Sequence, residues 1–278
     1  TRVMPKVLAT QVIDKPNTTG SNTTGGGGMP KWLMPAGAIV ALLVIIGGGA
    51  FFFMGQDSGA VGLATGIAAD ISGENWAPDI IANPEGVQQA ASELTTAYGQ
   101  DPVGAVAGIN RLDDLDPMFA ASVILGIHAQ NQSQAAQILF SIGDADELRL
   151  EGHLARITEM DPVQAGDILI SLINEDVAEV ASLMEDVVEG DNGQILQTMF
   201  VEAAMNDDLA IAQLVNQAAM TPGAEQSTAN ALISIANADI EIAAAILAGT
   251  NTGSSSIWQA YIAIEPTGAG ATFVKAYK

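Results

Sequence analysis

The chain has 278 residues, of which 49% are hydrophobic and 15% are charged, and its net charge is −23 at pH 7. It contains no cysteine, which excludes disulfides and thiolate metal sites. The acidic excess argues against nucleic-acid binding, which needs a basic surface, and against docking on anionic lipid.

Residues 1–32 form a short basic arm. They carry four basic residues, among them Arg2 and Lys6, against the single acidic residue Asp14. The stretch 17–28 contains only Asn, Thr, Ser and Gly, a composition typical of a flexible linker. We therefore expect an N-terminal arm that ends in a linker.

Residues 33–54 are predicted to be a transmembrane helix. This stretch has no ionisable side chain, and a helix of its length rises about 33 Å, enough to cross the hydrocarbon core of a bilayer. Lys31 and Trp32 stand where an interface anchor is expected, because Trp favours the headgroup region and Lys extends its ammonium group to water. An uncleaved signal anchor fits better than a signal peptide, because the apolar run exceeds the usual length of a signal sequence.

Gly47, Gly48 and Gly49 lie in the second half of this predicted span. Small residues allow two membrane helices to approach closely, so the triplet predicts a helix–helix contact within the membrane. The alternative is a kink or simple tolerance of glycine. Because positive charge next to a span tends to remain cytoplasmic, we expect a cytoplasmic N-terminus and a periplasmic or extracellular large domain.

Residues 55–82 are predicted to be a connector, with a short helix over about 59–71 and a turn around Asn75, Trp76 and Pro78. Residues 83–250 are predicted to be a helical repeat domain, because residues that commonly begin helices recur at intervals of about 15. The predicted starts are Asn83-Pro84, Asp101-Pro102, Asp116-Pro117, Asn131, Asp144 or Asp146, Asp161-Pro162, Asn174, Asp191, Asn206, Thr221-Pro222 and Asn237.

Each interval also carries a one-sided apolar pattern, for example Ala165, Ile168, Leu169, Leu172 and Ile173. Helices this short are marginal alone and must pack against neighbours. The predicted fold class is therefore all-α: one transmembrane helix followed by an α-solenoid or superhelical bundle of short antiparallel helices, with a helix pair of about 30 residues as the repeat. In the tail, residues 251–278, we expect a loop, then a capping segment over 257–264 that is either a helix or extended. We expect residues 271–278 to be extended or to be ordered against a partner.

The sequence offers few catalytic groups. His128 and His153 lie in predicted helices without recognisable partners, and the HExxH, GxxxxGK[ST] and GxSxG motifs are absent. The densest carboxylate groups, Asp113-Asp114 with Asp116 and Asp207-Asp208, lack the alternation of a calcium loop and are interpreted as helix-start residues. We therefore predict no enzyme, no cofactor and no metal site.

Arg149 and Arg156 are rare positive charges in an acidic region, and Glu147, Glu151 and Glu159 lie nearby in the sequence. Their spacing of seven places both arginines on one helix face, so internal ion pairing is predicted. Docking of a partner is the alternative.

The segment 160–188 resembles one repeat of the superhelical domain at the N-terminus of MgtE-type magnesium transporters, a domain related to parts of the flagellar proteins FliG and MotE. The pattern is carried by Leu154, Ile157, Met160, Pro162, Ala165, Ile168 and Leu169, and then by Val177, Ala178, Val180, Ala181 and Met184. The resemblance implies a helical stack. Magnesium transport does not follow from it, whereas the MotE layout, one span with a periplasmic helical domain, is similar to the one predicted here.

The function expected from these features is that of a non-enzymatic scaffold or accessory subunit, whose partners are other subunits of a larger membrane complex. Two alternatives stay open: a MotE-like adaptor for flagellar or envelope assembly, and a sensor of divalent cations that uses clustered carboxylates.

Overall fold

The computed structural model describes residue 71, residues 73–189 and residues 192–277, with side chains between 185 and 189 left aside. The chain divides into two compact units, 1–56 and 57–278, and all described residues belong to the second. Within the described part the structure is all-helical, as predicted. Its helices are α1 Trp76–Ala82, α2 Gly86–Tyr98, α3 Pro102–Leu115, α4 Pro117–Gln130, α5 Gln132–Ala145, α6 Glu147–Met160, α7 Pro162–Glu189, α8 Gly193–Asn206, α9 Asp208–Ala218, α10 Ala224–Ala238, α11 Ile240–Gly249, α12 Ser255–Ile264 and α13 Ala269–Tyr277.

Single extended residues join most successive helices. Asp116, with φ −149° and ψ 93°, ends α3 through its own N–H, which donates to the Leu112 carbonyl at 2.7 Å. Its side chain begins α4 by accepting from the N–H groups of Met118 and Phe119. One aspartate therefore satisfies backbone groups of two helices, so the two helices need only this one residue between them.

This junction recurs at a constant interval in the first half of the domain, at Asp116, Asn131, Asp146, Asp161 and Asp176. Asp101, one interval earlier, caps the start of α3 in the same way but follows two further connecting residues. Asp176 lies inside α7, where φ −153° and ψ 95° break the helix into two rods, here called α7a and α7b. Later junctions fall at Asp207 and Asp239. The periodicity of helix starts predicted from the sequence is confirmed.

Several predicted helix starts are confirmed, and others are corrected by a few residues. Those at Asp101, Asp116, Asn131 and Asp161 are correct, and of the two alternatives at 144 and 146 the structure uses Asp146. The predictions at Asn83, Asn174, Asn206, Thr221 and Asn237 are wrong by one to two residues, and the residues that precede the helices are Glu85, Asp176, Asp207, Gly223 and Asp239. The predicted start at Asp191 lies outside the described residues.

The two ends of the domain differ from prediction. Instead of a turn, the region of Trp76 and Pro78 forms α1, in which the Trp76 indole is buried and donates to a Glu93 carboxylate oxygen at 2.7 Å. The capping segment is helical, as α12. The final segment is not extended: it forms α13, where the tilted rings of Phe273 and Tyr277 pack one turn apart with centroids 5.2 Å apart.

The core consists of aliphatic and alanine side chains on the inward faces of the helices. The predicted stripe of α7a, Ala165 to Ile173, is fully buried. Alanine and glycine at helix crossings allow close approach; a Cβ on Gly166 would lie 2.7 Å from the Ala203 backbone nitrogen of α8. This core is what makes short rods stable together.

Equivalent contacts between helices recur 15 residues further along the chain, the interval between successive junctions. Gln134 donates to the Thr95 carbonyl at 2.7 Å, and Arg149, one interval later, donates to the Asn110 carbonyl at 3.1 Å. In the same way, the Asp113–Arg156 pair at 2.9 Å corresponds to the His128–Ser171 pair at 3.0 Å. The structural repeat is therefore one helix with its junction, half the predicted helix pair.

No helix in these described ranges is both long and apolar enough to cross a membrane. The predicted span, 33–54, and the predicted arm, 1–32, lie outside the described residues.

We expect Asp116→Ala to lower the free energy of unfolding by about 1–2 kcal/mol, because the first-turn N–H groups of α4 lose their acceptor. Asp116→Asn is the matched control, since Asn131 caps α5 in the same way, and it should retain most of the stability. Urea unfolding measures both. Equal losses for Ala and Asn would show that charge, and not capping, matters at the junction.

We expect Gly166→Ala to destabilise the protein by about 1–3 kcal/mol, because the new methyl group would press on the backbone of α8. Gly99→Ala is the control: the nearest atom to an ideal Cβ position there is the Thr96 carbonyl oxygen at 3.6 Å, and its φ of −65° suits alanine. That change should be neutral or add up to about 1 kcal/mol. Thermal unfolding compares the two, and equal effects would contradict the close α7a–α8 approach.

Candidate functional site

The carboxylate of Asp113, on α3, forms ion pairs with two arginines of α6. Its oxygens lie 2.9 Å from Arg156 Nη1 and 3.3 Å from Arg149 Nη1. The Asp113 side chain is only 11% exposed, and the two arginine side chains are 24% and 29% exposed. A largely enclosed charge that is matched by two guanidinium groups holds α6 against α3, two helices that are not adjacent in the chain.

Arg149 extends this cluster to the surface. Its Nη2 lies 3.0 Å from the exposed Asp114 carboxylate, and its Nε lies 3.8 Å from Asp146 at the junction before α6. Internal ion pairing of Arg149 and Arg156 is therefore confirmed, although the partners are aspartates and not the neighbouring glutamates. The prediction that Asp113 and Asp114 are helix-start residues is wrong, since both lie in the last turn of α3.

His153 is fully buried beneath this cluster of Asp113, Arg149 and Arg156. Its side chain has no exposed surface, and Nδ1 lies 3.8 Å from an Asp113 oxygen; neither ring nitrogen has a hydrogen-bond partner among the described residues. Burial lowers the pKa of His153 to about 4, with Asp113 opposing that change and the two arginines adding to it. The imidazole is thus neutral at pH 7 and closed to any substrate.

His128, on α4, occupies the position that corresponds to Asp113 one repeat later. Its Nε2 lies 3.0 Å from the Ser171 hydroxyl of α7a. Since that hydroxyl donates its own proton to the Asp167 carbonyl at 2.8 Å, Nε2 is assigned as the donor. Burial lowers the pKa of His128, partly offset by Asp167. His128 therefore links α4 to α7a, whereas His153 is a buried ring without a hydrogen-bond partner among the described residues.

The most distinctive surface feature is a set of exposed apolar side chains at three junctions. We name it the apolar edge, and it comprises Leu115 and Met118 around Asp116, Met160 and Val163 around Asp161, and Met205 and Leu209 around Asp207. All six are exposed, between 38% and 62%. Large apolar groups that recur at equivalent positions differ from the isolated exposed leucines that most surfaces carry.

Two contacts place these three junctions side by side. Met160 Sδ lies 4.0 Å from the Ser122 hydroxyl, one turn beyond Met118. Asn206, next to Met205, donates to the Asp167 carboxylate at 2.9 Å, one turn beyond Val163. The end of each later helix therefore lies against the first turns of an earlier one, and the apolar edge continues from the junction at Asp116 to that at Asp207.

Carboxylates flank the apolar edge along its length: Asp114, Asp116, Glu159, Asp161, Asp167, Glu202, Asp207 and Asp208. Arg149 reaches Asp114 at one end of this series, whereas Arg156 pairs with Asp113 and Arg111 is bonded to the Ile71 carbonyl. Sequence analysis missed this surface. The available signal was the similar pair of segments Leu115-Asp-Pro-Met118 and Met160-Asp-Pro-Val163, three junction intervals apart.

Other kinds of site find little support in the described ranges. The two best-formed cavities are apolar, with volumes of about 20 and 10 Å³, the larger one between Leu154, Leu172 and Phe200. Among the described residues, no group of three or more His, Asp or Glu side chains is arranged to hold a metal ion.

The site residues predicted from sequence within the span, Gly47, Gly48 and Gly49, and the predicted anchor, Lys31 and Trp32, lie outside the described residues. Comparison of the chain with protein-family models, with curated proteins and with solved structures gives no match.

Proposed function

We propose that this chain is a non-enzymatic scaffold or accessory subunit, anchored by the span predicted at 33–54, whose helical repeat domain binds a subunit of a larger membrane complex. The observation that supports this proposal is the apolar edge, which leaves six large side chains in water along one border of the domain. A monomer gains nothing from such exposure, and surfaces of this type commonly bind proteins.

The internal architecture supports the same proposal. Asp113 joins α3 to α6 through its ion pair with Arg156, and His153 beneath it has no exposed surface. The cavities named above are too small for a substrate, since ligand pockets usually measure about 300–1,000 Å³. A binding role therefore fits the described residues better than a catalytic one.

The proposal is tested by purifying the tagged full chain from native membranes in mild detergent, followed by blue-native electrophoresis and mass spectrometry. The expected result is one or more stoichiometric partner proteins. A lone species of 28.5 kDa protein mass, with no co-purifying subunit in several detergents, would contradict it.

A narrower form of this proposal is an adaptor of the MotE type in flagellar or envelope assembly. It is favoured by the resemblance of the segment 160–188 to that family's repeat. Of the residues that carry the pattern, Leu154, Ile168 and Met184 lie in the core. Deletion of the gene should then abolish motility and leave other membrane complexes intact; unchanged motility would eliminate this form.

A further inference from the structure

We infer that the apolar edge binds a cationic amphipathic helix of the partner, an inference that rests on the proposed function. Partner residues that face the edge must be apolar, because the six edge residues present hydrocarbon and thioether surface. Partner residues at the margins must be basic, because the charged residues that flank the edge are carboxylates, and Arg149 offsets their charge only at Asp114.

The spacing of the edge suits a helix. Helices in contact have axes about 8–10 Å apart, so neighbouring junctions on the edge should lie about 10 Å from one another. Residues seven apart on a partner helix are separated by about 10.5 Å. A helix of about four turns, with large apolar residues at seven-residue spacing and lysine or arginine beside them, would meet all three junctions.

Charge also decides against two other occupants. A second copy of the chain would bring another acidic border against this one, and like charges at close range are unfavourable. An anionic membrane surface would be repelled for the same reason. The cationic helix is the occupant to which both the apolar residues and their acidic margins are complementary.

The test uses three synthetic 18-residue peptides with the full chain in detergent micelles. The first is an amphipathic helix with Leu on one face and Lys elsewhere; the second has the same composition in scrambled order; the third has Glu in place of Lys. Isothermal titration calorimetry measures binding. We expect the first peptide to bind at least about tenfold more tightly than either control.

Two triple variants then locate the binding. Met118→Gln, Val163→Gln and Leu209→Gln alter the edge at each of its junctions. Val103→Gln, Leu148→Gln and Met220→Gln alter apolar residues outside the edge that are even more exposed, between 70% and 80%. The edge variant should weaken binding of the first peptide by about tenfold or more, and the control variant by less than about twofold. Circular dichroism and urea unfolding verify that both variants remain folded.

Three results would overturn the inference: no binding of the Lys peptide, equal binding of the scrambled or Glu peptide, or equal affinity of the edge variant and the unmodified chain. These outcomes are separable from failure of the proposed function. A native partner that co-purifies equally well with the edge variant would leave the scaffold proposal standing and remove the edge as its site. Absence of any native partner would contradict the scaffold proposal itself.

Discussion

Replacing Asp113 with asparagine should lower the free energy of unfolding by about 2 kcal/mol, because it removes the negative charge from an ion cluster that is only partly closed to water. The Asn side chain keeps the size of Asp113, but Arg149 and Arg156 lose the negative charge that both contact within 3.3 Å. Removing one partner of a buried ion pair costs about 3–5 kcal/mol, and the partial exposure of both arginines reduces that figure. Urea denaturation at pH 7 measures the loss.

Asp114→Asn provides the matched control. It removes the adjacent carboxylate, which also contacts Arg149 at 3.0 Å but is 62% exposed. Exposed pairs contribute about 0–1 kcal/mol, so this variant should be clearly more stable than Asp113→Asn. Equal losses, or a loss below about 0.5 kcal/mol at Asp113, would show that the α3–α6 cluster does not stabilise the domain.

The second large effect concerns acid. Because the pKa of His153 is lowered from 6.5 to about 4 in the folded chain, the unfolded chain binds a proton at this residue between those pH values and the folded chain does not. Stability must therefore fall as the pH drops from about 6.5 to 4. At about 1.4 kcal/mol per pKa unit, this single histidine removes about 3 kcal/mol over that range, with no further loss below it.

His153→Leu isolates this contribution, since leucine has a similar volume and no proton to bind. Free energies of unfolding measured at half-unit intervals from pH 7.5 to 4 should diverge, with the wild type losing about 3 kcal/mol relative to the variant. His128 and the carboxylates that do not contact residue 153 are common to both proteins, so their titration cancels in the difference. Parallel profiles would mean that His153 is accessible and titrates normally.

The fold was largely predictable because its main signal is local. An Asx residue that accepts from the first-turn N–H groups must be next to the helix that it begins, so Asp101, Asp116 and Asp161, each followed by proline, were found from sequence. Where two Asx residues compete, local chemistry does not decide. Asn174 and Asp176 are such a case, and the extended residue is Asp176, which keeps the constant interval between junctions.

The candidate sites depended on contacts that the sequence does not reveal. Arg156 and Asp113 are 43 residues apart, and only the packing of α6 beside α3 makes them neighbours. A search for partners within one helix therefore proposed glutamates at the wrong positions. The apolar edge is similar, since Met160 contacts the turn of Ser122 only after the helices have stacked.

The central claim is that the single-helix repeats stack in one register and so align the junctions at Asp116, Asp161 and Asp207 along a single edge. Because the chain has no cysteine, introduced cysteine pairs report on this alignment without background from native thiols. Ser122→Cys with Met160→Cys, and Asp167→Cys with Asn206→Cys, should each form an intramolecular link with a short bis-maleimide in the folded full chain. The links should vanish in the single-cysteine variants. They should also vanish in about 6 M guanidinium chloride, because only hyperstable proteins have unfolding midpoints above about 5 M. If the folded double variants remain unlinked while their thiols stay reactive, the junctions do not align and the apolar edge does not exist.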